Sequence, residues 1–176
     1  MSRAIILVTG GSRSGKSRFA LEKAQEHAAP RLFVATAPRS GDEEMAERIA
    51  RHRKDRGEGW ETVEAEWELV PILSESTLHS VILVDCLTLW VSNLMMELET
   101  AATEDEIAVR SGELVKAARQ GTGKVIFVTN EVGMGIVPQN ALARRFRDLA
   151  GRCNQIIAAA SDEVYCVMSG IPLKLR

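Results

Sequence analysis

Short apolar runs rich in β-branched residues recur at positions 4–8, 31–35, 81–85, 124–128 and 163–168. Between them lie longer stretches, 16–27, 42–54, 104–119 and 140–160, in which apolar residues return every three or four positions. The first pattern predicts strands and the second helices, and their alternation predicts a parallel sheet with crossover helices. Most of the strands are apolar on both faces, as strands covered on both sides must be. Turn residues punctuate the elements: Gly41-Asp42 before one helix, Gly121-Thr122-Gly123 after another, Pro138 before the last. Residues 60–71 carry the weakest pattern and read as a short strand followed by a short helix. No repeat, linker or low-complexity stretch interrupts the series, so the 176 residues are read as one domain of α/β class.

Composition narrows the partners. Lysine plus arginine total 22 against 24 aspartate plus glutamate, a formal charge of -2, so nothing draws the whole molecule to nucleic acid or an anionic membrane. Any phosphate binding has to be local. The apolar runs are far shorter than the roughly 20 residues of a membrane-spanning helix. The N-terminus, with Arg3 and no long apolar stretch, reads as a strand and not a signal peptide, and a cytoplasmic location is expected. Cys86, Cys153 and Cys166 are widely separated and odd in number, which suits reduced thiols.

Directly after the first strand comes Gly10-Gly11-Ser12-Arg13-Ser14-Gly15-Lys16-Ser17, a complete G-x-x-x-x-G-K-[ST] motif opening a helix. Glycines at both ends let the backbone curl until successive N–H groups point inward, and the helix N-terminus adds partial positive charge. Lys16 is then placed for the β- and γ-phosphates of a nucleoside triphosphate, and the Ser17 hydroxyl for a magnesium ion. A second magnesium contact is expected from an acidic strand end. Asp85, immediately after Val81-Ile82-Leu83-Val84, is the candidate, a strand-ending cap being the plainer alternative. The expected fold is therefore P-loop NTPase-like, with a mostly parallel central sheet flanked by helices.

In the helix predicted over 42–54, Arg48, His52 and, one turn on, Arg56 fall on one face. Two readings stand. In the structural one Glu44 pairs with Arg48, Met45 and Ile49 face the core, and His52 is solvated. In the functional one His52 is a nucleophile or acid/base near the phosphates, and the flanking arginines keep its imidazole neutral and draw in an anion. His27 and His79 read as structural.

The segments 9–18, Arg48-Ile49 with His52, Val84-Asp85-Cys86 and Val128-Thr129-Asn130-Glu131-Val132-Gly133-Met134-Gly135-Ile136-Val137-Pro138 together resemble one family. It is the bifunctional adenosylcobinamide kinase/adenosylcobinamide-phosphate guanylyltransferase of cobalamin biosynthesis. The likeness extends over 144–154 and the closing Ser169-Gly170-Ile171, essentially the whole chain. It implies that His52 attacks the α-phosphorus of GTP and carries GMP covalently. Arg51 stands where some relatives have a second histidine. It implies GTP contacts from Gly10, Gly11, Ser12, Arg13, Ser14, Gly15, Lys16 and Ser17, from Thr36, Ala37 and Pro38, and from Arg53, Lys54, Asp55, Arg56, Glu64 and Asp85. Glu64 would accept from guanine N1 and N2. Magnesium, GTP and ATP, a corrinoid acceptor and a homotrimer are implied likewise. A monofunctional metabolite kinase and a GTP-dependent switch remain alternatives, although the guanine-reading N-K-x-D motif of the switch is missing: in Thr129-Asn130-Glu131, Glu131 stands in place of its lysine.

Overall fold

The computed structural model describes residues 2–37 and 56–176. Among the described residues seven strands form one sheet: β1 (Ala4–Gly10), β2 (Arg31–Ala35), β3 (Trp60–Glu64), β4 (Val81–Asp85), β5 (Lys124–Val128), β6 (Glu163–Met168) and β7 (Ile171–Lys174). Their order is β3-β2-β4-β5-β1-β6-β7, all parallel except the final β6–β7 hairpin. The described helices are α1 (Lys16–Gln25), α2 (Leu69–Glu75), α3 (Leu87–Leu98), α4 (Glu104–Ala118) and α5 (Ala141–Ala160).

Successive strand residues point to opposite faces, and here both faces are dry. Ile5, Leu7, Leu32, Val34, Ile82, Val84, Val125 and Phe127 join the side chains of α2 to α5 in one core layer. Ile6, Val8, Phe33, Leu83, Ile126 and Val128 form the other with Ala20 and Ala24 of α1. Each such side chain stabilises the fold by about 1.5–3 kcal/mol when removed from water. This two-sided burial is the reason the strands read as unbroken apolar runs.

All five predicted strands are present, β1 running on to Gly10, and the weak region 60–71 holds β3 and the start of α2. Two elements escaped the pattern. Helix α3 buries Leu87, Thr88, Trp90, Val91, Leu94 and Met95, so it lacks the polar face that makes a helix visible in sequence. Strand β7 is four residues, exposed, and contains Pro172, which only an edge strand tolerates. The helix predicted over 42–54 lies outside the described residues. All three cysteines are free; Cys86 and Cys153 are buried and Cys166 half-buried.

At the amino edge of the sheet the fully buried Arg3 ties three elements together. It donates from Nε to the Thr122 carbonyl at 3.0 Å, from Nη1 to the Leu73 carbonyl at 2.7 Å, and from Nη2 to the Ser76 carbonyl. The opposite, carboxyl edge is left to the loops.

Candidate nucleotide site at the carboxyl edge of the sheet

At the end of β1 the chain turns sharply through the glycine-rich segment. Gly10 has φ 151°, and a Cβ there would run into the Val167 carbonyl oxygen and lie 2.7 Å from Ser14 Oγ. Gly15, with φ 94°, is the N-cap of α1. It sits against the β6–β7 turn, where Gly170 donates its N–H to the Ser14 carbonyl at 2.8 Å. Within the loop Ser14 N donates to Gly11 O at 3.2 Å. The start of α1 has no capping side chain and no acidic residue in its first turn. Its first N–H groups, which lack intrahelical partners, are therefore oriented for an anion. Lys16 is buried and its Nζ donates to Gly11 O at 3.2 Å, folded back over the loop that it serves. Ser17, the next residue, is half-buried.

Asp85 ends β4 level with Ala35 of β2 and Val128 of β5, and Val128 is level with Val8 of β1. One strand, β5, thus separates the acidic strand end from the phosphate loop. The adjoining Cys86 thiol is pushed up to about 11, chiefly by burial and then by the Asp85 carboxylate, while the Lys16 ammonium pulls the other way. Lys16 opens α1 beyond the end of β1, and Asp85 ends β4 at the same carboxyl edge of the sheet. A serine hydroxyl and a carboxylate are hard oxygen donors, the kind magnesium accepts when phosphates and water complete its shell. No group of three or more histidine, cysteine or acidic side chains gathers for a metal among the described residues.

The remaining predicted contacts divide. Thr36 is fully buried, and its hydroxyl both donates to the Cys86 carbonyl and accepts from the Cys86 N–H, each at 2.7 Å. It fixes the turn that presents Asp85. Ala37 follows, half-buried. Glu64 ends β3 level with Ala35, exposed at the same edge two strands from Asp85. Arg56 is buried with its guanidinium 3.8 Å over the ring of Phe33, the central residue of β2, on the sheet's α1 face, and its carbonyl accepts from Gln25 Nε2 at 3.3 Å. Pro38, His52, Arg53, Lys54 and Asp55 lie outside the described residues.

Around these residues runs a polar framework that spacing did not single out. Thr9 Oγ1 donates to Glu131 Oε1 at 2.8 Å, and Glu131 N donates to Gly10 O at 3.1 Å. Thr129 Oγ1 donates to Asn154 Oδ1 at 2.7 Å, and Asn154 Nδ2 to Asn130 O at 3.1 Å. Asn130 N donates to Thr88 Oγ1 at 2.7 Å. Asn93 Nδ2 reaches both Thr36 O and Glu66 O at 2.9 Å, joining the loops after β2 and β3. In the sequence it showed as the abrupt change from the apolar Val125-Ile126-Phe127-Val128 to Thr129-Asn130-Glu131 at a strand end, within the run that carries the family resemblance.

A phosphate loop opening a helix beside a parallel strand, with an acidic strand end two strands away, defines a P-loop nucleotide-binding protein. Comparison with known proteins narrows the class. Residues 6–175 match the model of the family described as cobinamide kinase / cobinamide phosphate guanyltransferase, and the chain belongs to that family. The bifunctional adenosylcobalamin biosynthesis protein CobU of Escherichia coli (strain K12) is 44% identical over 183 residues, covering 98% of this chain and 99% of that protein. Its namesake in Salmonella typhimurium (strain LT2) is also 44% identical, with the same coverage. The bifunctional adenosylcobalamin biosynthesis protein CobP of Pseudomonas aeruginosa is 39% identical over 171 residues, 97% of this chain and 96% of that protein. Among solved structures, flagellar accessory protein FlaH of Methanocaldococcus jannaschii superposes with a TM-score of 0.49 at 12% identity, over 98% of this chain and 78% of its own.

Proposed function

We propose that this chain phosphorylates the hydroxyl on the aminopropanol arm of adenosylcobinamide and then joins GMP from GTP to that phosphate, giving adenosyl-GDP-cobinamide. The two activities are those of the family to which it belongs. The observation that carries the reading is the uncapped start of α1, with Lys16 folded over the phosphate loop and Asp85 ending β4 at the same edge of the sheet.

In the first step the loop amides and Lys16 hold the β- and γ-phosphates of ATP or GTP in line with the acceptor hydroxyl. Ser17 and Asp85 would hold a magnesium ion, which neutralises charge on the phosphates. Positioning and electrostatics supply most of the rate, because phosphoryl transfer asks little covalent work of the protein. In the second step a ring nitrogen of His52 attacks the α-phosphorus of GTP. The N–P bond forms, the bond to pyrophosphate breaks, and the acceptor phosphate then takes GMP as the P–N bond breaks. Thr36, Ala37, Pro38, Arg53, Lys54, Asp55, Arg56 and Glu64 belong to the GTP site in this reading, Thr36 through the turn that it holds. A corrinoid is too large for a pocket enclosed by so small a domain, so it is taken to bind in an open groove or at a subunit interface of a homotrimer.

Incubation with α-labelled GTP tests the covalent step. Wild-type protein should retain an acid-labile, base-stable label, and His52→Ala should retain none while still phosphorylating cobinamide. An unlabelled wild-type protein with kinase turnover would instead mark a monofunctional kinase.

A further inference from the structure

Strand β5 stands between β1, which feeds the phosphate loop, and β4, which ends in Asp85. Adjacent strands lie roughly 4.8 Å apart, so the residues leaving the tip of β5 sit beside the gap that a terminal phosphate would occupy. These residues are held unusually firmly. The Asn130 N–H and C=O are each bonded to a side chain, Thr88 and Asn154, and Glu131 is tied by its own N–H and its Oε1 to Gly10 and Thr9. Glu131 is half-buried, and only its Oε1 receives the Thr9 hydroxyl.

A carboxylate is a costly choice at this place. It repels the polyanion that the adjoining loop is shaped to hold. An amide would serve Thr9 equally well, since the Thr9 hydroxyl needs only an acceptor oxygen. What a carboxylate does and an amide does not is take up a proton.

We propose that Glu131 is a catalytic residue of the kinase step: its Oε2 accepts the proton of the attacking alcohol. The alcohol oxygen bonds to the γ-phosphorus, the bond to the β,γ-bridging oxygen breaks, the nucleoside diphosphate leaves with that electron pair, and the alcohol proton passes to Glu131. The guanylyl transfer does not need this group, because its final nucleophile is an oxygen of a phosphate already ionised at neutral pH. The inference rests on the two-step reading above for its acceptor.

Glu131→Gln keeps the acceptor for Thr9 and removes the base, which makes it the informative variant. Phosphorylation kcat is expected to fall by roughly 10²–10⁴, with the acid limb of its pH profile lost. Triphosphate affinity and guanylyl transfer to pre-phosphorylated cobinamide should stay within about threefold of wild type. Thr9→Val, which loosens the carboxylate but leaves it in place, should keep the acid limb. Full kinase turnover in Glu131→Gln overturns the proposal, as does parallel loss of nucleotide binding and of both reactions, which would mark Glu131 as a brace for the loop. If wild-type protein does not phosphorylate cobinamide at all, the substrate reading fails by itself. The base is then read from slow triphosphate hydrolysis, where water replaces the alcohol and Glu131→Gln should again be slow; an unchanged hydrolysis rate sinks the proposal.

Discussion

Gly170, in the turn between the last two strands, donates its amide hydrogen to the carbonyl oxygen of Ser14 in the phosphate loop at 2.8 Å. The C-terminal hairpin thereby braces a loop that was formed more than a hundred residues earlier. The contact is close: a Cβ built on Gly15 would lie 3.2 Å from Gly170 Cα. Gly15→Ala therefore meets two penalties, a left-handed backbone costing about 1–2 kcal/mol and a contact that pushes the hairpin away. We expect at least tenfold weaker triphosphate binding by calorimetry. Gly170→Ala has φ 82° to accommodate but open space around the new methyl, so it should lower stability by about 1 kcal/mol with a smaller effect on binding.

That brace shows where sequence reading ran short. The phosphate loop was legible because all its determinants are local: a strand, two glycines, a lysine, a serine and a helix follow one another directly. Asp85 was legible for the same reason, as a charge ending an apolar run. The partners of Ser14, Thr9 and Thr36 are Gly170, Glu131 and Cys86, and only the strand order brings them together. Helix α3 was hidden differently, since burial on most sides erases the periodicity that betrays a surface helix. Arg56, grouped with Arg48 and His52 by spacing, is found against Phe33 halfway along β2, a cation over an aromatic face that no spacing rule anticipates.

Lys16 is the cation of the phosphate loop, and hydrogen bonds to charged groups contribute about 1.5–3 kcal/mol each. Lys16→Ala should accordingly weaken triphosphate binding roughly 10- to 150-fold and abolish measurable phosphorylation. Its Nζ bonds a loop carbonyl, so fold stability should change little. An unaltered dissociation constant in titration calorimetry would remove Lys16 from the phosphate site.

Thr36 carries a prediction about stability. Its single hydroxyl satisfies both the N–H and the C=O of Cys86, and Thr36 itself is fully buried. Valine has the same shape and neither bonding capacity, which would leave two main-chain groups without partners. The cost should be about 2–4 kcal/mol, measured as a lower urea midpoint with unchanged slope, whereas Thr36→Ser should stay within about 1 kcal/mol of wild type. Because the same bond fixes the turn presenting Asp85, residual Thr36→Val enzyme should also need more magnesium for half-maximal turnover.

At the amino edge, Arg119 Nη1 donates to Asp162 Oδ2 at 2.6 Å, and Ile5 N donates to the same oxygen at 2.7 Å. The Arg119 bond is the largest cause holding the Asp162 carboxyl below its ordinary value. Glu163 is depressed likewise, first by the Tyr165 hydroxyl, which donates to its Oε2 at 2.5 Å, and then by Lys174. A carboxylate whose folded pKa is depressed binds its proton more readily in the unfolded chain. Its contribution is therefore complete above the unfolded value of about 4 and is lost as the pH falls through the lower folded value. Wild-type stability should thus decline from about pH 5 downward. In Asp162→Asn that part of the decline should vanish: the variant starts below wild type at pH 7, by no more than about 1 kcal/mol since the pair is half exposed, and the gap closes toward pH 3. Thermal unfolding followed across this range checks it. A gap that stays constant with pH would show that Asp162 acts through shape and hydrogen bonding alone, with no part played by its charge.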